Sequence, residues 1–274
     1  MDANLLFICF LTLVIHVVGT LAYAVRIAGI RTRRIAISFS LFNILALVSR
    51  TSNSFQGPFL AKRIESRLLG VAQPSSSMLA DFRWLLAAAT IATAVGALSI
   101  PTFQRLFSSA VDHFQANRSM PRLIARAFSR RGLSSFATNV RIPSPQNLKQ
   151  LGSGTGVSMP VIGLNVIAMA LWTLGVFASL YAGYLKPELR VTCSNLSSVV
   201  NGVATILMFV VIDPQLSVMT DDVVEGRLGE PGFRRAIVWL VGSRFAGTLL
   251  AQVLLVPAAS GGSPEREPSL ARSA

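Results

Sequence analysis

Six long apolar runs constrain this chain more than any other feature of its sequence. Each is close to the roughly 20 residues that an α-helix needs to cross about 30 Å of hydrocarbon. Because backbone polar groups inside a bilayer must be paired within their own segment, the runs predict helices rather than loops. We therefore expect an all-α polytopic membrane protein with about six transmembrane helices, at about residues 4–25, 35–57, 84–104, 160–184, 196–213 and 236–257.

The composition agrees with a membrane protein. Charged residues make up 14% of the 274 residues, against about 25% in soluble domains, and the mean hydropathy is +0.57. The net charge is +13, and 22 of the 25 basic residues are arginine. Most of these arginines flank apolar runs, where topology and lipid binding explain them better than nucleic acid does. We expect anionic membrane lipids, and no nucleic acid, as partners.

The motifs of soluble enzymes are missing from the sequence, which contains no GxxxxGK[ST], HExxH or GxSxG pattern. The two cysteines and the two histidines lie far apart in the chain and show no metal-ligand spacing. Of the twelve carboxylates, we place only Asp213 against an apolar run, so no acid pair is available for hydrolysis inside the membrane. We therefore expect a protein that is not an enzyme and uses no cofactor or metal.

The distribution of Lys and Arg predicts the orientation in the plasma membrane. The first apolar run has no basic residues before it and is too long for a signal peptide, whereas Arg26, Arg31, Arg33 and Arg34 follow it. With the N-terminus outside, the cytoplasmic loops hold 15 Lys and Arg and the outer segments hold 8. Because basic residues favour the cytoplasmic side, we expect both termini outside.

The runs divide the chain into two three-helix halves, 1–105 and 159–257. A basic cytoplasmic loop at 106–158 joins them, and a disordered tail follows at 258–274. Within the loop, PRLIARAFSRRG (121–132) places three arginines at intervals of four residues beside apolar side chains. This pattern predicts a short amphipathic helix on an anionic membrane surface, with a solvated loop helix as the alternative.

A weak internal repeat relates the two halves. Tyr23 and Asn43 lie 20 residues apart, and so do Tyr181 and Asn201. Because each half has an odd number of spans, two related halves would be inverted relative to each other. Inverted repeats are common in transporters, which bind substrate near the midplane between the halves. The sequence thus suggests two inverted three-helix repeats.

The second and fifth runs are the weakest, and a re-entrant loop is the alternative for either. The second ends in SRTSNSFQGPFL (49–60), a polar stretch where a span should complete its last turns. We interpret it as the polar floor of a hydrated cavity, with the helix broken at Gly57-Pro58, since broken helices are tolerated only beside cavities. The alternative is a span that simply ends at Ser49.

Polar residues inside the runs are the candidate site. Arg244 lies eight residues into the last run, where a charge costs about 2.5–3.5 kcal/mol and marks function. Arg50 sits near the end of the second run. Guanidinium groups pair with phosphate oxygens, while amides suit sugar and peptide groups. The candidate substrate-binding residues are Arg244, Arg50, Asn43, Asn53, Gln56, Gln252 and Arg26.

Structural roles are the alternatives for these residues. Arg50 could extend to the membrane interface, as long basic side chains do near helix ends. Arg244 could form a structural ion pair with Asp213. His16 in the first run is more typical of a packing histidine than of a ligand.

One known family is similar to this sequence over three stretches, HVVGTLAYAVRIAGIRTRRIAISFSLFNILALVSRTSN (16–53), ASLYAGYLKPELRVTCSNLSSVVNGVATILMFVVIDPQLSVMTDDV (178–223) and SRFAGTLLAQ (243–252). These stretches resemble the Amj family, the alternate lipid II flippases of bacteria, which differ in fold from MurJ. The resemblance covers nearly all of the membrane portion but little of the loop 106–158 or the tail. It brings no established site residues with it.

The resemblance implies a plasma-membrane flippase that moves lipid II, the undecaprenyl-pyrophosphate-linked disaccharide pentapeptide, to the outer leaflet for cell-wall synthesis. It implies no catalytic residue, because no covalent bond changes. Two alternatives stay open from the residues alone. One is a secondary transporter of a small anionic solute, and the other is a membrane scaffold that transports nothing.

Overall fold

The computed structural model of the protein describes residues 2–70, 77–127, 129–141, 143 and 156–261. The helices of this part are α1 (Ala3–Thr32), α2 (Ile35–Leu68), α3 (Met78–Asn117), α4 (Met120–Ala127), α5 (Arg130–Asn139), α6 (Met159–Leu185), α7 (Arg190–Leu207), α8 (Asp213–Val224) and α9 (Glu230–Ser260). A 3₁₀ turn precedes α7, and a π-helical segment at Met208–Ile212 joins α7 to α8.

Six helical segments are long and apolar enough to cross a membrane, so the protein is an all-α polytopic membrane protein. They are α1, α2, α3, α6, the continuous segment Pro187–Val224 and α9. The second and fifth are the least buried, with 17% and 11% of their apolar windows inside the protein, against 39–56% for the other four. These two spans lie at the periphery of the bundle, which explains why their sequences are the most irregular.

The two halves are packed alike. In the first half, α1 packs extensively on both α2 and α3. In the second half, α6 packs extensively on both α7 and α9. The halves meet mainly through α3 and α9, while α1 and α6 are not closely packed on each other. This arrangement supports the suggestion of an inverted repeat, which stays a prediction.

Two glycines lie at close helix contacts, one in each half. A Cβ at Gly96 of α3 would lie 2.8 Å from Cβ of Thr20 in α1. A Cβ at Gly247 of α9 would lie 2.7 Å from both Cβ of Met169 and the carbonyl oxygen of Val166 in α6. Small residues let membrane helices approach closely and gain van der Waals contact, so these positions fix the core of each half.

The predicted break at Gly57-Pro58 is wrong, and so is the alternative that the second span ends at Ser49. Helix α2 runs without interruption through both positions. Pro58 lacks an N–H and so leaves the Ser54 carbonyl without its usual helical donor, a cost that packing can offset. Leu60 and Ile64 beyond it are buried in the core, and their burial holds the helix on course.

The fifth span is also continuous, although its helix type changes. The π-helical segment lies near its centre, directly before Pro214 in the first turn of α8. Neither of the two weak spans therefore forms a re-entrant loop.

The loop between the halves holds more helix than expected. Helix α3 continues to Asn117, twelve residues beyond the predicted boundary at 105. The single amphipathic helix predicted over 121–132 is instead two helices, because Ser129 caps α5 by accepting a hydrogen bond from the Gly132 N–H. Arg130 therefore does not share a helix with Arg122 and Arg126.

The last helix also extends past its predicted end at 257. Helix α9 continues through Pro257 to Ser260, and Gly261 closes it with a φ of 63°. The predicted disordered tail beyond residue 261 lies outside the described residues.

Candidate functional site

The candidate site is the contact where α1 of the first half faces α6 and α9 of the second. We call it the seam and define it by His16, Gly19, Tyr23, Asn165, Met169 and Arg244. Arg244 is 5% exposed, and its Nη1 donates to Sδ of Met169 at 3.2 Å. A Cβ on Gly19 would lie 2.5 Å from Nη2 of Arg244, so a larger residue there would displace the guanidinium from this position.

Hydrogen bonds from Asn165 join the helices of the second half beside this guanidinium. Its amide donates to the Leu240 carbonyl at 3.0 Å and to the Ser243 hydroxyl at 2.7 Å. The side chain of Tyr23, on α1, also interacts with Asn165. The seam is therefore a polar layer that crosses from one half to the other inside an apolar bundle.

Arg244 is unusual because its charge lacks a carboxylate partner among the described residues. Its Nε has no hydrogen-bond acceptor, and the same holds for Nδ1 of the neighbouring His16. A buried charge is costly unless it is paired, and inside a membrane it marks function. The chemistry of the arrangement suits an anion, which a guanidinium can pair with.

The suggested ion pair between Arg244 and Asp213 is wrong. Asp213 accepts instead from Nη2 of Arg26 at 3.0 Å. Arg26 is 8% exposed, and its guanidinium also lies 5.0 Å from the ring centre of Phe39. Arg26 therefore joins α1 to α8 at the end of the bundle that also carries the ion pair between Arg31 and Glu230. These two ion pairs connect the two halves at that end of the bundle.

The two candidate glutamines serve as links between helices. Gln56 of α2 is buried and donates to Thr12 of α1 at 2.6 Å. Gln252 of α9 donates to Thr90 of α3 at 2.8 Å, across the main contact between the halves. Both amides have a protein partner, and their predicted role in substrate binding stays a prediction.

The remaining candidates, Arg50, Asn43 and Asn53, are exposed on α2. Arg50 thus points away from the seam and does not converge with Arg244. Its guanidinium has no hydrogen-bond or ion-pair partner in the part of the chain that the structure describes. Arg50 lies level with the middle of α1. Gln56 contacts Thr12, and α2 is antiparallel to α1, so six residues back along α2 to Arg50 correspond to six residues forward along α1 from Thr12.

A cleft of about 200 Å³ lies between the halves at the opposite end from Arg26. Its walls are α2 and α7, and α6 forms its floor, with Ala61, Glu65, Gly183, Arg190, Ser194 and Asn195 among the lining residues. Across its mouth, Glu65 and Arg190 are 3.7 Å apart and both are partly exposed. The cleft is lined from both halves, but neither Arg50 nor Arg244 lines it.

A second charged cluster went unnoticed in the sequence. Asp81 is fully buried at the start of α3 and accepts from Arg63 at 2.8 Å and Arg67 at 2.5 Å, both on α2. Arg63 also pairs with Asp2, whose side chain caps α1. The signal was available, because an acid three residues before an apolar run can lie inside the helix that carries it.

Asn165 was also missed in the sequence. The available signal was its position, because an amide within the fourth apolar run needs a hydrogen-bond partner there, as Arg244 does. For metals, the described ranges place no three His, Cys, Asp or Glu side chains where they could hold an ion.

The fold and the seam together define a class: a polytopic helical membrane protein with an unpaired cation buried between two similar halves. Comparison with known proteins narrows this class. The family model for Amj, described as alternate to MurJ, matches residues 11–261. The chain belongs to the Amj family. It is 36% identical over 258 residues, 92% of each chain, to the lipid II flippase Amj of Bacillus subtilis (strain 168). No solved structure matches it.

Proposed function

We propose that this protein is a lipid II flippase of the bacterial plasma membrane. The family match and the relative named lipid II flippase support this function, and the seam supplies the observation that carries it. A flippase for a lipid-linked pyrophosphate needs a cation that is free to bind it at mid-membrane depth. Arg244 provides one, because it is buried where the halves meet and has no carboxylate partner within the described part of the chain.

The transport needs no covalent step. The polyprenyl tail can stay in the lipid while the disaccharide-pentapeptide pyrophosphate crosses between the halves. A planar guanidinium can pair with two phosphate oxygens at once, which offsets part of the cost of removing them from water. Outward movement of negative charge also gains roughly 2.3 kcal/mol per charge per 100 mV when the inside is negative.

A leaflet-accessibility assay tests this function. In cells depleted of their main flippase, expression of the protein should restore exposure of lipid II on the outer surface. Purified protein in vesicles should move a fluorescent lipid II analogue between leaflets. Transport of a soluble anion without lipid II movement would identify a solute transporter, and no transport of either would identify a scaffold.

We further propose that both termini lie outside and that the loop 106–158 is cytoplasmic. The excess of basic residues in the loops assigned to the cytoplasm supports this orientation. A cysteine introduced at Arg130 of α5 should react with a membrane-impermeant maleimide only after the cells are opened. Labelling of this cysteine in intact cells would reverse the orientation.

A further inference from the structure

One face of α2 carries a row of small and polar residues, interrupted by Leu47. Asn43, Arg50, Ser54, Gly57 and Ala61 follow one another at intervals of seven, four, three and four, so they share one side of the helix. The first three are exposed, a Cβ on Gly57 would find no atom within 4 Å, and Ala61 lines the cleft. This row, which we call the α2 stripe, therefore leads from the middle of the helix into the cleft.

Helix α7 carries a matching row. Val191, Asn195, Ser198 and Gly202 are spaced by four, three and four. The first two line the cleft, Ser198 is exposed, and Gly202, like Gly57, has open space around it. We call this row the α7 stripe. From the cleft, the α2 stripe continues toward lower residue numbers and the α7 stripe toward higher ones. Because the two helices run in opposite directions, both stripes extend from the cleft toward the middle of the membrane.

The two stripes flank a gap. Helices α2 and α7 do not pack against each other along their lengths, although α7 packs closely on α6, which forms the floor of the cleft. Helices α2 and α7 also belong to the two least buried spans. The gap is thus the lipid-facing edge of the boundary between the halves, and the seam is the interior of the same boundary.

Arg50 marks the deep end of the gap. Along α2 it is about 24 Å from Arg34 and about 18 Å from Lys62, which places it far from the basic residues at either end. A cation exposed at that depth without a partner is expensive, so an anion or water must reach it. An apolar lipid chain alone cannot satisfy it.

From these observations we propose that the gap between α2 and α7 is a lateral groove for the pyrophosphate head group of a polyprenyl lipid. The head group moves between the depth of Arg50 and the outer mouth at Glu65 and Arg190, while the tail remains in the membrane. The proposal rests on the proposed flippase function and adds the route. A second copy of the chain is a poorer occupant, because a two-fold contact through the α2 stripe would bring two Arg50 cations together.

Filling the groove is the sharpest test, because a Cβ added at Gly57 or Gly202 meets no atom within 4 Å. Gly57→Leu and Gly202→Leu should each fold and accumulate normally but slow flipping of a fluorescent lipid II analogue in vesicles by about tenfold. Gly242→Leu is the matched control, since Gly242 is exposed near the middle of α9 with no atom within 4 Å of a Cβ, away from both stripes. It should leave flipping within about twofold of the unchanged protein.

A binding measurement separates this proposal from the flippase function. Native mass spectrometry should show undecaprenyl pyrophosphate, but not undecaprenol, bound to the purified protein. Arg50→Gln should weaken that binding about tenfold, as expected for a lost charge-assisted contact, whereas Lys62→Gln on the same helix should not.

The outcomes distinguish the two ideas. If the unchanged protein flips lipid II and both leucine variants flip it equally well, the groove is overturned and the flippase function stands. No flipping by the unchanged protein, with pyrophosphate binding that depends on Arg50, would overturn the function and retain the groove as a lipid site. Equal impairment by Gly242→Leu would overturn the groove. Efficient disulfide formation between two copies carrying Ser54→Cys in the α2 stripe would also overturn it.

Discussion

The seam and the groove contain an arginine each at a similar depth, yet their surroundings are opposite. Arg244 is enclosed by Gly19 and Met169, and the nearby helices approach closely at Gly247. Arg50 is exposed on a peripheral helix, and the glycines of both stripes have empty space around them. One cation is held by packing, and the other is open to the membrane.

The difference suggests how the two regions divide the work. The α3–α9 contact and the ion pairs of Arg26 and Arg31 hold the halves together, while the boundary between α1–α2 and α6–α7 is loosely closed. Separation along this boundary would connect the groove to the seam and expose Arg244. In the proposed route the groove needs no rearrangement whereas the seam has to open, so variants should affect the two regions differently.

The largest effect is expected at Arg244. Arg244→Ala should abolish flipping while the protein still inserts and accumulates, because the cation proposed to bind pyrophosphate is lost. Arg244→Lys keeps the charge but loses the planar pair of donors, so partial activity should remain. Both are measured as lipid II exposure in cells, with protein abundance measured alongside.

Arg83→Ala, which removes an exposed arginine near the start of α3, is the control and should flip normally. Adding Asp213→Ala should not rescue Arg244→Ala, since Asp213 pairs with Arg26. Normal flipping by Arg244→Ala at normal abundance would remove the seam arginine from the mechanism.

A large loss of stability is expected where the packing is tightest. Gly247→Val places side-chain atoms against Met169 and the Val166 carbonyl, and overpacking of this kind costs roughly 1–3 kcal/mol or more. We expect a clear fall in the midpoint of thermal unfolding in detergent and in membrane abundance. Gly202→Val is the comparison at an open position and should change neither. Equal behaviour of the two variants would show that the contrast between packed core and open groove is not real.

A smaller effect is expected at the ion pair that joins α1 to α8. Asp213→Ala leaves Arg26 buried without its carboxylate, which costs on the order of 1–3 kcal/mol. Arg26→Leu combined with Asp213→Ala removes both charges and should recover part of the lost stability. The midpoint of thermal unfolding measures this coupling. If the loss of stability in the double variant equals the sum of the losses in Arg26→Leu and Asp213→Ala, the two side chains do not stabilise the fold through their contact with each other.

The spans were predictable because they depend on hydrophobicity and length, which the sequence records directly. All six predicted runs lie within helices. Their ends were not predictable, since α3 and α9 continue beyond the apolar stretch and Pro58 does not break α2. Helix ends depend on caps and on packing beyond the run, and both involve residues distant in the chain.

The candidate site shows the same division. Depth could be inferred from position along a run, so Arg244 and Arg50 were both found. Depth does not show which side of a helix faces protein. In the structure Arg244 is buried between helices, whereas Arg50 is exposed on the surface of the bundle. The pairing of Asp213 with Arg26 rather than Arg244 spans 187 residues, and spacing alone cannot choose between two arginines.

The smallest effect is expected at Asp2, which lies at the same end of the bundle as the cleft but contacts only the first half. Burial alone would raise the pKa of Asp2, but hydrogen bonds from the Leu5 N–H and from Arg63 outweigh it, so the pKa lies below its ordinary value. The ionised carboxylate therefore stabilises the fold above the ordinary pKa of the unfolded chain, and this contribution is lost as the pH falls through the lowered value. Asp2→Ala should cost about 1 kcal/mol, as for other helix caps, seen as a small drop in the unfolding midpoint at pH 7. Asp2→Asn keeps the cap but not the charge and should lie between. Because Asp2 belongs to neither the seam nor the groove, both variants should flip lipid II normally, and a loss of flipping at normal abundance would show that this end of the first half takes part in transport.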